Sequence, residues 1–472
     1  MTTGLRVGLT TALVLVLAGG AYVTADAYDV VPGMVTLAPP VPDPSPFPTA
    51  PGAAEPAAVV PVMAELDDQV PLPDAAAVQA LVDGLVGDAR LGSAADVGVL
   101  VVDQLTGEVL GEHQADDART PASTAKVLTG VAALTALDPA ATLPTRVLVS
   151  GDRTLALVGG GDMMLAAGDG DPDATVGHAG LADLARATAA ALALQGVTSV
   201  RLEVDDTLFT GPTVNPSWAA TDLTGGYVAP VTALAVDIAK TTDGEYVPRH
   251  TDPSMAAADV FVQRLADAGV TVEGDPVRRS SPAEGTELAR VESAPLVDVI
   301  HHFLDTSDNT ITEVVSRLVA IDAGLPASFD GGTQAVLREI GNLGVDVSGA
   351  RLADASGLAD GSQLSPRLLV DLVRLTTDPA YPLLRDVATG MPIGGLTGTL
   401  ADRYTATDAR GLVRAKTGSL TGVTSLTGTV LDAQRRQLVF ALMADATPAG
   451  GQWAPRQALD GFVTALAACG CR

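Results

Sequence analysis

Apolar positions along this chain follow two periods, and the switches between them mark its elements. From Asp74 to Leu91 the residues Val78, Leu81, Val82, Leu85 and Val86 recur at helical spacing and predict an amphipathic helix. Val97 to Val102 is a dense β-branched strand, Gln104 to Gly107 a turn, and Glu108 to His113 a second strand. This hairpin feeds into an apolar helical run that opens at Ser123 and continues through Val131 and Leu134. Strands follow over 146–150 and 154–158, an alanine-rich helix over 181–194, a strand over 200–204, a helix over 256–268 and a short strand over 270–273. Helical spacing resumes at Pro295 to Leu304, breaks at Asp305-Thr306-Ser307-Asp308-Asn309, restarts at Ile311 to Ala320 and returns over 333–343. Val413 to Thr417, Val423 to Val430 and Leu438 to Ala444 read as an antiparallel meander, and a helix over 455–467 closes the pattern.

Outside these periodic stretches the chain changes character. Arg6 precedes an apolar run from Val7 to Val23, and Ala25-Asp26-Ala27 supplies small residues of the kind a signal peptidase accepts. Residues 1–27 therefore read as a signal peptide or a membrane anchor, and the proline-crowded stretch 28–73 as an extended linker outside the cytoplasm. The interval between the Ser123 run and the break at Ser307 is too long for a loop and predicts one or two inserted domains.

Composition narrows the function. An apolar share of 47% over 472 residues is ample for the cores of two or three domains. The net charge of −28 argues against nucleic acid or an anionic membrane surface as a partner held by a basic patch. Five histidines without ligand spacing imply no metal, and no other cofactor is indicated. Cys469 and Cys471 lie too close to the end to staple a fold.

The candidate chemistry rests on lysine. Only Lys126, Lys240 and Lys416 occur in the chain; every other basic side chain of fixed charge is arginine, which cannot act as a base. In Ser123-Thr124-Ala125-Lys126 the hydroxyl and the amine lie three residues apart on one helical face. A serine hydroxyl needs a nearby base to attack a carbonyl at neutral pH, and a partly desolvated amine supplies one. Ser307-Asp308-Asn309 places polar groups at a helix break, and Lys416-Thr417-Gly418-Ser419 lies near a strand end, where Gly418 permits close backbone approach. Asp354-Ala355-Ser356-Gly357-Leu358 forms another exposed turn.

Ser123-x-x-Lys126, Ser307-Asp308-Asn309 and Lys416-Thr417-Gly418, in that order, resemble the signature of the penicillin-recognising serine acyl enzymes. The long insertion, with Asp205-Asp206-Thr207-Leu208-Phe209, the Gly211-to-Trp218 segment and the later Ser356-Gly357-Leu358, is similar to the D-alanyl-D-alanine carboxypeptidase/endopeptidases of peptidase family S13, the class C penicillin-binding proteins. The resemblance implies an α/β fold: a discontinuous transpeptidase-type domain over 74–145 and 290–472, an antiparallel sheet flanked by helices, interrupted by smaller inserted domains over 146–289. It implies that Ser123 is the nucleophile and Lys126 its general base, with Ser307 as proton relay and Asn309 orienting Lys126 and the substrate amide. Lys416 and Thr417 then hold the substrate carboxylate beside Gly418, and the N–H groups of Ser123 and Ser419 form the oxyanion hole. It implies peptidoglycan stem peptides as substrate and β-lactams as covalent inhibitors. A β-lactamase or esterase on the same fold, and a cell-wall-binding protein without turnover, are the alternatives. One departure concerns Asp360: relatives that cut diaminopimelate peptides commonly carry an arginine just after Ser-Gly-Leu, whereas an acid here favours a third residue ending in an amine. Trp218, Asp222 and Tyr227 are expected as further walls, beside Ser356 and Leu358.

Overall fold

The computed structural model describes residues 19–28, 30–31 and 69–470. The chain divides into two units, 1–65 and 66–472. In the first, residues 19–27 are helical; most of the apolar run from Val7 and of the proline-rich stretch lies outside the described residues. Among the described residues no helix is long and apolar enough to cross a membrane.

In chain order the strands of the second unit are β1 (Val97–Asp103), β2 (Val109–His113), β3 (Pro144–Gly151), β4 (Thr154–Val158), β5 (Asp162–Leu165), β6 (Ser199–Asp205), β7 (Leu234–Val236), β8 (Thr271–Val272), β9 (Val277–Arg278), β10 (Thr286–Glu292), β11 (Val413–Leu420), β12 (Val423–Leu431) and β13 (Gln437–Ala444). The first sheet has the order β11-β12-β13-β1-β2 and is antiparallel throughout. Every residue of β1 is buried, which explains its unbroken apolar run: a central strand covered on both faces has no polar side to alternate with. The sheet joins a hairpin near residue 100 to a meander beyond residue 412, so the long interval between them leaves and returns to one body.

That interval builds a second, mixed sheet of order β10-β3-β4-β6-β8, with β9 also on β6. The helices Leu181–Ala193 and Pro253–Asp267 share a separate apolar core with it, built on Leu157, Leu184, Val204 and Phe261. Its entry strand β3 and exit strand β10 pair with each other, which holds the two crossing points side by side. The expected seams at 145/146 and 289/290 thus fall inside two paired strands.

The helix Lys126–Ala136 is central. All residues from Lys126 to Leu134 are buried, and a helix apolar on every side needs neighbours all round. It packs on Leu296–Thr306, Asn309–Asp322, Phe329–Asn342 and Pro366–Leu375. Truncating a side chain such as Leu128, fully buried here, costs about 2–5 kcal/mol. The helix Pro366–Leu375, opened by an Ser365 cap and a proline in its first turn, is not among the elements predicted above.

Candidate active site

The Ser123 turn is tighter than a single helix predicts. Ala122–Ala125 form a 3₁₀ turn, and the α-helix begins only at Lys126. In 3₁₀ geometry side chains three apart eclipse, which sets the Ser123 hydroxyl over the Lys126 amine; Nζ donates to Oγ at 2.9 Å. Ala122 enters the turn at φ 49°, a left-handed conformation uncommon outside glycine. Two glycines make room for it. A Cβ on Gly357 would run into the Ala122 carbonyl, and one on Gly418 would meet Ser425 Oγ and the Pro121 carbonyl.

Lys126 is 0% exposed, and its amine meets three acceptors: Ser123 Oγ, Asn309 Oδ1 at 2.6 Å and the Ser356 carbonyl at 2.8 Å. Burial pushes its pKa down to about 8, while the charges of Asp354, Asp308 and Glu313 resist the fall. Asn309 also donates from Nδ2 to the Tyr227 carbonyl at 2.9 Å, so its amide is gripped at both ends.

Ser307 and Lys416 form a second pair. Ser307 ends the helix Leu296–Thr306 in the left-handed region, φ 64°, and Asp308 caps the next helix by accepting from the Ile311 N–H. The hinge thus raises Ser307 from two rigid supports. Lys416 donates to Ser307 Oγ at 2.9 Å and to the Thr417 carbonyl at 3.1 Å. It is also 0% exposed, and burial, aided by the charge of Lys126, holds its pKa well below the ordinary lysine value. Ser123, Ser307, Asn309, Thr417 and Ser419 are half-buried, so the reactive groups border solvent while both amines lie beneath them.

Two acids behind the site complete it. Glu313 follows Asn309 by one helical turn and accepts the Ser356 N–H at 2.8 Å, on the residue whose carbonyl holds Lys126. It is fully buried, its pKa is pushed up to about 8 by burial and by Asp354, and its second oxygen has no hydrogen-bond partner among the described residues. Asp354 accepts from Trp218 Nε1 at 2.7 Å, Ser356 Oγ at 3.0 Å, Gly357 N at 2.7 Å and Ala359 N at 2.8 Å, fixing the Ser-Gly-Leu loop.

These contacts revise part of the expected substrate surface. Trp218 is not a wall of the site: it is buried against Phe329, with ring centroids 5.0 Å apart, because its indole N–H serves Asp354. Ser356 is likewise fully buried, backing Lys126 rather than facing substrate. The Asp222 carboxylate caps its own short helix by accepting the Ala219 N–H. Tyr227 does reach the site, by its carbonyl, with an exposed ring 5.0 Å from that of Tyr246. Leu358 is half-buried and Asp360 exposed, its side chain making no hydrogen bond or ion pair among the described residues. Thr417 Oγ1 lies 2.9 Å from Thr399 Oγ1, and Ser419 Oγ accepts from Arg456 at 3.0 Å.

Glu313, Thr399 and Arg456 escape sequence reasoning, and Asp354, expected only as part of an exposed turn, is fully buried. For Glu313 there is a signal, an acid among Ile311, Val314 and Val315 one turn from Asn309. For Thr399 and Arg456 nothing local distinguishes them from other surface residues.

The model of the D-Ala-D-Ala carboxypeptidase 3 (S13) family matches residues 78–252 and 239–466. The chain belongs to that family. It is a serine-type D-Ala-D-Ala carboxypeptidase. Among curated relatives, carboxypeptidase DacB of Mycolicibacterium smegmatis is 36% identical over 388 residues, 80% of this chain and 82% of the relative. Carboxypeptidase Rv3627c of Mycobacterium tuberculosis is 35% identical over 426 residues, 88% of both chains. Among solved structures, penicillin binding protein 4 from Haemophilus influenzae superposes with a TM-score of 0.68 at 24% identity, covering 82% of this chain and 98% of its own, which shows the shared α/β fold.

Proposed function

We propose that Ser123 carries the acyl group in hydrolysis of the D-Ala-D-Ala end of peptidoglycan stem peptides. The observation that carries this reading is the 2.9 Å contact between Ser123 Oγ and the buried Lys126 amine, whose pKa of about 8 leaves a neutral fraction near physiological pH. Neutral Lys126 takes the hydroxyl proton as Oγ bonds to the penultimate residue's carbonyl carbon. The resulting oxyanion is met by the N–H groups of Ser123 and Ser419. For Ser419 the edge position of β11 supports this. Ala415 N–H donates away from β12, to the Pro392 carbonyl at 3.0 Å, and alternate residues of an edge strand face the same way.

The tetrahedral adduct collapses by breaking the C–N bond. Ser307 gives its proton to the leaving nitrogen and regains one from Lys416 beside it, the proton that Lys126 took from Ser123 making good the loss, so free D-alanine departs. Water then attacks the ester, losing a proton to Lys126, and Ser123 regains its hydrogen as the shortened peptide leaves. A β-lactam follows the same path as far as the ester, but its leaving nitrogen stays tethered to the acyl group. Arg6, the apolar run after it and the proline-rich stretch support action outside the cytoplasmic membrane.

Digestion of purified muropeptides, monomeric and cross-linked, with mass analysis of the products tests the reading. Release of terminal alanine from monomers is expected from wild type and not from Ser123→Ala. Cleavage of cross-linked dimers in the same assay measures endopeptidase action. Alanine release by Ser123→Ala equal to wild type contradicts the assignment.

A further inference from the structure

A carboxypeptidase must recognise a free carboxylate one residue beyond the bond it cuts. The resemblance gives that task to Lys416 and Thr417, but the surroundings of Lys416 do not suit it. The amine is fully buried, donates to Ser307 and to its own strand, and lies where burial and the charge of Lys126 favour its neutral form. An amine buried beneath the floor and already committed to Ser307 and to the Thr417 carbonyl is poorly placed to meet a terminal carboxylate.

A cation is present at the mouth instead. Arg456, in the first turn of the helix Trp453–Ala468, donates from Nη2 to Ser419 Oγ at 3.0 Å. Ser419 and Thr417 lie two apart on β11, so their side chains share one face of the strand, opposite that of Lys416. Arg456 is exposed, and among the described residues no carboxylate stands within ion-pair distance of it. The acid one turn along its helix, Asp460, is committed to Arg403, which holds both of its oxygens. The same strand face therefore presents two hydroxyls, Thr417 steadied by Thr399 and Ser419 by Arg456, with an unpaired guanidinium beside them. A guanidinium with free N–H groups is suited to a carboxylate and poorly to a carboxamide, which brings no charge.

From this arrangement we infer that Arg456 is a specificity-determining residue: with the hydroxyls of Thr417 and Ser419 it binds the terminal carboxylate, and Lys416 is left to serve Ser307. The inference rests on the proposed reading of Ser123 as the acylated residue. Lys240, the one lysine outside the motifs, is paired with Asp237 and does not compete for this role.

The test compares kcat/KM for a peptide ending in D-Ala-D-Ala with the same peptide as its terminal carboxamide, in wild type, Arg456→Gln and Arg456→Lys. Wild type should favour the free acid. Arg456→Gln should lower that preference by about tenfold or more, the size of one lost charge-assisted contact, through KM rather than kcat. Arg456→Lys should restore part of it, and the wild-type preference should weaken as salt is raised. An unchanged acid-to-amide ratio in Arg456→Gln, or an equal loss on both peptides, overturns the role of Arg456 while leaving the Ser123 reading intact. Wild type inert towards both peptides removes the Ser123 reading and this inference together.

Discussion

Lys126 and Lys416 have the same immediate partner, a serine hydroxyl at 2.9 Å, and the same complete burial, yet their surroundings differ. Lys126 is ringed by Asp354, Asp308 and Glu313, whose charges hold its pKa up to about 8 against the pull of burial. At Lys416 burial is the chief cause of a pKa well below the lysine range; the charge of Lys126 adds to it and that of Asp305 opposes. The contrast teaches that the second sphere, and not the serine contact, divides the work. One amine can change its proton within the physiological range; the other is buried against Ser307, to whose Oγ it donates.

The strongest way to break the comparison is Lys126→Arg, which keeps the charge and removes the base. Turnover of D-Ala-D-Ala peptide should fall by about 10²–10⁴-fold, the usual worth of a positioned general base. Near-normal turnover in that variant would place the base elsewhere. Ser307→Ala tests the other lysine: it removes the proposed relay and leaves the Lys416 amine short of an acceptor. Turnover should drop by about 10²-fold, and an unchanged rate would mean that the leaving nitrogen draws its proton from another group.

Glu313→Ala sharpens the contrast from behind. It orphans the Ser356 N–H in the interior, at a cost of about 1–3 kcal/mol that unfolding in urea should register. It also loosens the peptide that holds Lys126, and acylation by penicillin should slow by about tenfold, equivalent to roughly 1.4 kcal/mol. Equal acylation in the variant would detach Glu313 from the base. The smallest effect belongs to Asp360→Ala. The side chain is exposed and without partners among the described residues, so selection between lysine and diaminopimelate peptides should change by less than about threefold, well under one hydrogen bond's worth of discrimination. A larger change in the ratio of kcat/KM would return Asp360 to the substrate surface.

What the sequence reveals and what it hides divide along the same line. Ser123 and Lys126 are legible because local turn geometry alone unites them, and Ser307 and Asn309 because a helix break announces itself in the periodicity. The sheet is legible too: the hairpin and the meander that flank the interval pair in space through β1 and β13. Trp218 is misread because a rare aromatic in a turn-rich loop looks like a binding wall, whereas its indole answers Asp354 across 136 positions. Arg456 is invisible because its meaning depends on Asp460 being taken by Arg403, a long-range pairing that no spacing encodes. The motifs bring the serines and lysines together; of the carboxylates that resist burial at Lys126, Asp308 sits within a motif while Glu313 and Asp354 come from elsewhere in the chain.

The central claim is that Ser123 is acylated with Lys126 as its base. The most direct measurement is the rate of acylation by a labelled penicillin against pH, with the label mapped by peptide mass. The account predicts label on the peptide containing Ser123, at a rate that rises through about pH 8 as Lys126 loses its proton, and no such rising limb in Lys126→Arg. Label on another serine, or a wild-type-like rate and pH profile in Lys126→Arg, would contradict it.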